Sequence, residues 1–155
     1  MKQGITMISL VIYVILFFGF TVLAISISSN LNYRILNEKG MTVANENYLK
    51  LYTNLLDSAK KSTTMYTIGT DTIYFSNGDV YKLFKTENLV NKNGGVLVKN
   101  VEDLLFKSID DITIDSSIKG YVNKDKCFVF NVQFKKYNYV LTKNIVITLG
   151  DDISE

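Results

Sequence analysis

The chain has no histidine, no proline and a single cysteine, Cys127, in its 155 residues. Without histidine the commonest general base at neutral pH and the commonest nitrogen ligand for metals are both missing, which excludes most hydrolase triads and zinc sites. Without proline there is no X–Pro isomerisation and no proline kink, so a bend in the first apolar stretch has to fall at Gly19. One cysteine forbids an intrachain disulfide, and an exported domain would have to hold together by packing alone. Set between Lys126 and Phe128-Val129-Phe130, Cys127 reads as a small buried strand residue rather than as an interchain bridge or a reactive thiol. Charge of one sign is also lacking. Seventeen Lys and Arg against fifteen Asp and Glu leave a net +2, too little for a strong field toward nucleic acid or lipid headgroups. There is no glycine-rich phosphate loop, no Ser/His arrangement and no cysteine pair, so enzyme is the least supported class and no cofactor is expected.

What is present begins at the N-terminus. From Ile5 to Ile27 there is no Asp, Glu, Lys or Arg. At about 1.5 Å of rise per residue a helix of that length crosses a hydrocarbon core of roughly 30 Å with some tilt to spare. A secretory signal peptide would place a small-residue cleavage site after its apolar region, but here Ser26, Ser28 and Ser29 lead into further helix-compatible sequence. Lys2 before the span, with Arg34, Glu38 and Lys39 after it, favours an N-terminus in the cytoplasm and a C-terminal domain outside.

The leader Lys2-Gln3-Gly4 followed by Ile5-Thr6-Met7-Ile8-Ser9-Leu10 and a Val/Ile/Phe-rich helix resembles the class III leader of type IV pilins and type II secretion pseudopilins. The resemblance implies that a prepilin peptidase cuts between Gly4 and Ile5 and methylates the new N-terminus at Ile5. It also implies a pilin-like subunit that assembles through its N-terminal helix. Most members of the family carry Glu at the fifth mature position, where this chain has Ser9. That departure leaves the peptidase reading intact and argues against an ordinary shaft role. The competing reading is a single-pass anchor carrying an extracytoplasmic binding or adhesion domain.

Beyond Ile27 the pattern becomes amphipathic. Met41, Ala44, Tyr48, Tyr52, Leu55 and Ala59 recur at spacings of three and four, with Lys60 and Lys61 suited to a helix C-terminus near Ser62. A break is expected at Asn37-Glu38-Lys39-Gly40, since glycine inside a helix costs about 1 kcal/mol relative to alanine. From Thr63 the period shifts to two, among β-branched and aromatic residues. Strands are expected at 64–68, 72–75, 80–84, 96–98, 111–115, 118–122, 127–134 and 139–149, with Val101–Phe106 ambiguous between a helical turn and a strand. Asn77-Gly78 marks a hairpin, Asn93-Gly94-Gly95 another turn, and Lys135-Lys136-Tyr137-Asn138 the link of a last hairpin.

A lone meander leaves one face unburied, so the long helix is expected to cover it. The fold class is α+β, one antiparallel sheet packed on an N-terminal helix, divided as leader 1–4, membrane and assembly helix 5–28, and outer domain 29–155. This order of elements agrees with a pilin-like fold. The series Ile73-Tyr74-Phe75, Asn77-Gly78, Val80-Tyr81-Lys82-Leu83, then Asn88-Leu89 and Asn100-Val101, resembles the J class of minor pseudopilins and the competence pilin of Gram-positive bacteria. The partners that this implies are other pilin or pseudopilin subunits, the prepilin peptidase and the membrane, with nucleic acid only in a DNA-uptake system.

Asp110, Asp111 and Asp115 are the best candidate for a calcium site, although their spacing does not match an EF-hand and alternation around Ile112 and Ile114 suits the solvent face of a strand. No metal site is expected. Asn77-Gly78-Asp79 and Asn123-Lys124-Asp125 read as turns. Tyr and Lys are plentiful, but no local cluster marks a surface for single-stranded nucleic acid.

Overall fold

The computed structural model describes residues 2–107 and 126–150. Among these residues it is an α+β arrangement of one long N-terminal helix, α1 (Lys2–Lys60), and eight strands. The chain divides into two units, Met1–Lys39 and Gly40–Glu155.

In the first unit the helix exposes every large apolar side chain from Met7 to Leu36. Uncharged, β-branched-rich sequence is helical there, and a helix satisfies its own backbone hydrogen bonds, as an apolar medium would require. Thr21 does the same with its hydroxyl, donating to the Phe17 carbonyl at 2.8 Å.

In the second unit the remaining turns of α1 bury a narrow stripe of Ala44, Leu51, Leu55, Ser58 and Ala59. Tyr48 and Tyr52 flank it as a stacked pair with ring centroids 6.0 Å apart. The expected stripe was correct at Ala44, Leu55 and Ala59. Met41 instead faces outward and Leu51 takes the centre. Small residues at both ends of the stripe let the helix backbone come close to the strands, and the two leucines fill the space between.

The strands run β1 (Met65–Ile68), β2 (Thr72–Phe75), β3 (Val80–Phe84), β4 (Leu89–Lys92), β5 (Gly95–Lys99), β6 (Val101–Lys107), β7 (Cys127–Lys136) and β8 (Tyr139–Thr148). They form two antiparallel sheets in sequential order, β1 to β5 and β6 to β8, where one sheet was expected. The division falls at Asn100, whose φ of 62° turns the chain between β5 and β6. Asparagine tolerates this left-handed conformation better than most residues. Backbone bonds tie the sheets across the turn, from Val101 N–H to Asn88 O and from Lys135 N–H to Asn100 O, both 2.9 Å. Val101–Phe106, left open by the sequence, lies in strand β6, and Leu89–Lys92 forms a strand that the pattern did not reveal. The strands expected at 111–115 and 118–122 lie outside the described residues.

Both Asn-Gly steps are hairpin turns. Asn93-Gly94 links paired Lys92 and Gly95 with φ of 52° and 85°, the two positive values of a type I′ turn. At Asn77-Gly78 the loop is one residue longer. Phe75 exchanges backbone bonds with Asp79 and Gly78, and Gly78 takes φ 91°. The core is aromatic and aliphatic, with Tyr81, Phe130, Phe134, Leu51, Leu55, Ile145 and Ile147 the largest fully buried side chains. Each contributes about 1.5–3 kcal/mol by leaving water. Cys127 is a free, buried strand residue, as its neighbours implied.

Gly40 lies within the helix and does not break it. A Cβ placed there would lie 2.6 Å from the Lys136 carbonyl oxygen and 2.9 Å from Tyr139 Cβ, so the glycine admits the β7–β8 turn against the helix. Gly150 is the counterpart at the other end. Its N–H donates to the Ala59 and Ser62 carbonyls at 3.0 Å, capping the helix, and a Cβ there would collide with the Lys60 carbonyl. About 30 Å of helix from Gly40 to Lys60 and about 33 Å of strand in β8 are thus matched in length and pinned at both ends. Gly40→Ala therefore opposes two effects. Helix propensity favours alanine by about 1 kcal/mol, whereas forcing a methyl into a backbone contact costs about 1–3 kcal/mol. Urea unfolding of the outer domain is expected to give a lower midpoint for Gly40→Ala, and a raised midpoint would show that the contact is loose.

Candidate functional site

Two features stand apart from ordinary core packing, the apolar exposed helix of the first unit and a polar clamp in the second. On the helix, an 18-residue window is apolar and uncharged enough to cross a membrane, and none of it is buried. The exposed surface is dense with Leu10, Ile12, Val14, Ile15, Phe17, Phe18 and Phe20 and continues through Leu31, Tyr33, Ile35 and Leu36. Gly19, the expected place for a bend, lies within continuous helix, and beyond the adjoining helix backbone nothing approaches where a Cβ would be. Gly4 and Ile5 lie in the first turns of α1, and Ser9 is exposed on it one turn beyond Ile5.

The clamp joins the last turns of α1 to the β2–β3 turn and strands β3 and β4. Ser58 Oγ donates to Asp79 Oδ2 at 2.5 Å and lies 2.7 Å from the Tyr81 hydroxyl, which donates to the Asn54 carbonyl at 2.8 Å. These three contacts share two hydroxyl protons, so only two of them can be made at once. Lys92 Nζ pairs with Asp79 Oδ2 at 3.1 Å, donates to Ser58 Oγ at 3.3 Å and sits 5.4 Å above the Tyr81 ring. Asn93 Nδ2 donates to Asp79 Oδ1 at 2.8 Å and Asn77 Nδ2 to Oδ2 at 3.2 Å. The side chains of Asp79 and Lys92 are only 19 % and 21 % exposed. Desolvation pushes the Asp79 carboxyl up, but the hydrogen bonds from Ser58, Asn93, Lys92 and Asn77 outweigh it and hold the group well below the usual carboxylate range. Burial raises Tyr81. Lys92 is lowered by desolvation but raised overall by its bonds to Tyr81 and Asp79.

A carboxylate neutralised by one ammonium and saturated by amides is a fastener and is badly placed as a base. The sign of its pH dependence follows from these shifts. Asp79 is depressed in the folded state, so its contribution is complete above the unfolded value of about 3.9 and is lost as pH falls below it. Lys92 and Tyr81 are raised, so their contributions are complete below about 10 and are lost as pH rises beyond it. Urea midpoints of the outer domain are expected to fall below about pH 4. Asp79→Asn is expected to lower stability at neutral pH by about 1–3 kcal/mol while flattening that acid limb. Parallel acid limbs for the two proteins would remove Asp79 from this role.

The sequence placed Asp79 in a turn, correctly, but missed the clamp. Ser58 carried a signal, since it falls three residues after Leu55 and seven after Leu51, on the stripe itself. Lys92 did not, because its strand was not recognised. Among the described residues no group of three His, Cys, Asp or Glu could hold a metal ion. Asp110, Asp111, Asp115 and the turn 123–125 lie outside the described residues. Tyr66 and Tyr74 stack with centroids 5.0 Å apart, and Lys82 lies 5.3 Å over the Phe84 ring. Compared with known proteins, the chain matches no family model, no curated protein and no solved structure.

Proposed function

We propose that this chain is a minor pilin or pseudopilin, a structural subunit processed between Gly4 and Ile5, methylated at Ile5, and assembled with other such subunits through its N-terminal helix. The observation that carries the reading is the extent of exposed apolar helix. From Ile5 to Ile27 the rise is about 34 Å, already enough for a hydrocarbon core of roughly 30 Å. A plain anchor needs nothing more. Yet Ser28–Lys39 adds about 18 Å of helix on which Leu31 and Tyr33 remain 53 % and 56 % exposed and Ile35 and Leu36 are also uncovered. Asn30, Asn32, Arg34 and Asn37 interleave with them, so this segment suits neither lipid nor water. Neighbouring protein helices suit it, as exposed apolar patches of this kind mark protein contacts. The outer domain then stands outside the cytoplasmic membrane, and at the cell surface once assembled.

Ser9 decides the position within the filament. After cleavage Ile5 carries an ammonium group that is costly to bury without an opposite charge nearby. In the family that charge is the glutamate at the fifth mature position of an adjacent subunit. Ser9 cannot supply it, so this chain can offer its ammonium to a later subunit but is not drawn onto an earlier one, which fits an initiating or tip position. Quantitative mass spectrometry of sheared filaments tests this. A copy number far below that of the main subunit is expected, with Ser9→Glu raising it, and wild-type abundance equal to the main subunit would refute the tip position.

A further inference from the structure

Both Asn-Gly steps of the chain, Asn77-Gly78 and Asn93-Gly94, hold their amides against one carboxylate, that of Asp79. Asn-Gly is the sequence most prone to deamidation, because the unhindered glycine nitrogen can reach the asparagine side chain. In that reaction hydroxide takes the glycine N–H proton and the nitrogen attacks Asn Cγ. The Cγ–Nδ2 bond breaks as Nδ2 takes a proton from water, regenerating hydroxide; ammonia leaves, and a succinimide ring remains. Water then opens the ring to aspartate or isoaspartate.

We infer that Asp79 guards the two asparagines against this reaction, and that Asn77 and Asn93 are a coupled pair of modification sites. Each amide is held at both ends. Asn77 Nδ2 donates to Asp79 Oδ2 while its Oδ1 accepts the Asp79 N–H at 2.9 Å. Asn93 Nδ2 donates to Asp79 Oδ1 while its Oδ1 accepts the Val80 N–H at 2.7 Å. Turning either amide to present Cγ to the glycine nitrogen breaks two hydrogen bonds, one of them to a charged oxygen. At Asn77 the attacking group is itself occupied, since Gly78 N–H donates to the Phe75 carbonyl at 3.0 Å. Lys92 and Ser58 in turn fix Asp79. The coupling follows from charge. Converting either asparagine sets a second carboxylate beside Asp79, replaces a donor with a repulsion, and loosens the carboxylate that the other asparagine depends on.

The test follows conversion at residues 77 and 93 by peptide mapping of the full chain in detergent micelles, held in mildly alkaline buffer. The folded wild type is expected to convert at both positions at least an order of magnitude more slowly than the urea-denatured chain. Asp79→Asn is expected to speed both several-fold. Lys135→Ala removes an exposed ion pair with Glu102 on the β6–β8 sheet, away from Asp79 and both amides, and is expected to leave both rates unchanged. Asn77→Asp is expected to speed conversion at Asn93 several-fold, a readout that stands even if Asp79→Asn fails to fold. The inference is overturned by equal rates in folded and denatured wild type, by an unchanged Asn93 rate in Asn77→Asp, or by Lys135→Ala accelerating both sites as much as Asp79→Asn.

Discussion

Removing residues 1–39 is expected to leave a soluble, monomeric domain that still unfolds cooperatively. The division between the two units falls at Lys39 and Gly40, and every large apolar residue from Met7 to Leu36 is exposed, so the cut takes none of these side chains from the core. What remains begins at Gly40, with Ala44, Leu51, Leu55 and Ala59 still buried in the outer domain. A cut at residue 28 would leave Leu31, Tyr33, Ile35 and Leu36 uncovered, and that longer product is expected to self-associate. Sedimentation and urea unfolding of the two truncations check this. An aggregated 40–155 product without a cooperative transition would mean that the outer domain depends on the helix it has lost.

The second large effect is expected at the leader. Gly4→Leu should leave the outer domain and the membrane span untouched, because the substitution lies before the span and far in sequence from the strands. If the proposed function holds, it should nonetheless abolish incorporation into filaments, since a chain that keeps its leader would carry Lys2 into the apolar environment proposed for packing against neighbouring helices. The readout is the fraction of the chain in sheared filaments against the fraction in membranes. Unchanged incorporation of the variant would show that the glycine precedes the span by accident and would favour an anchored binding domain.

The architecture was legible where a single local rule governs. The uncharged run to Ile27 sets a helix by length and hydropathy. Asn-Gly steps set turns by their tolerance of positive φ, and alternating β-branched and aromatic residues set β2, β3, β7 and β8 close to their observed limits. It failed where a residue serves a contact distant in sequence. Gly40 looked like a helix breaker because propensity is local, whereas its purpose is the approach of Lys136 and Tyr139, nearly a hundred residues later. The split into two sheets at Asn100 depends on a left-handed residue whose neighbours are all strand-like, so no change of pattern announces it. The clamp was hidden for the same reason. Asp79 has meaning only once register brings Tyr81 opposite Lys92 and the helix sets Ser58 above them.

The central claim is that this is a pilin-like subunit matured at its fourth residue, and the intact mass of the chain tests it most directly. Co-expressed with a prepilin peptidase, the wild type is expected to lose residues 1–4 and begin at a methylated Ile5, while Gly4→Leu keeps all 155 residues. A wild-type chain that retains its first four residues beside an active peptidase, or is cut instead near Ser26–Ser29, would contradict the account.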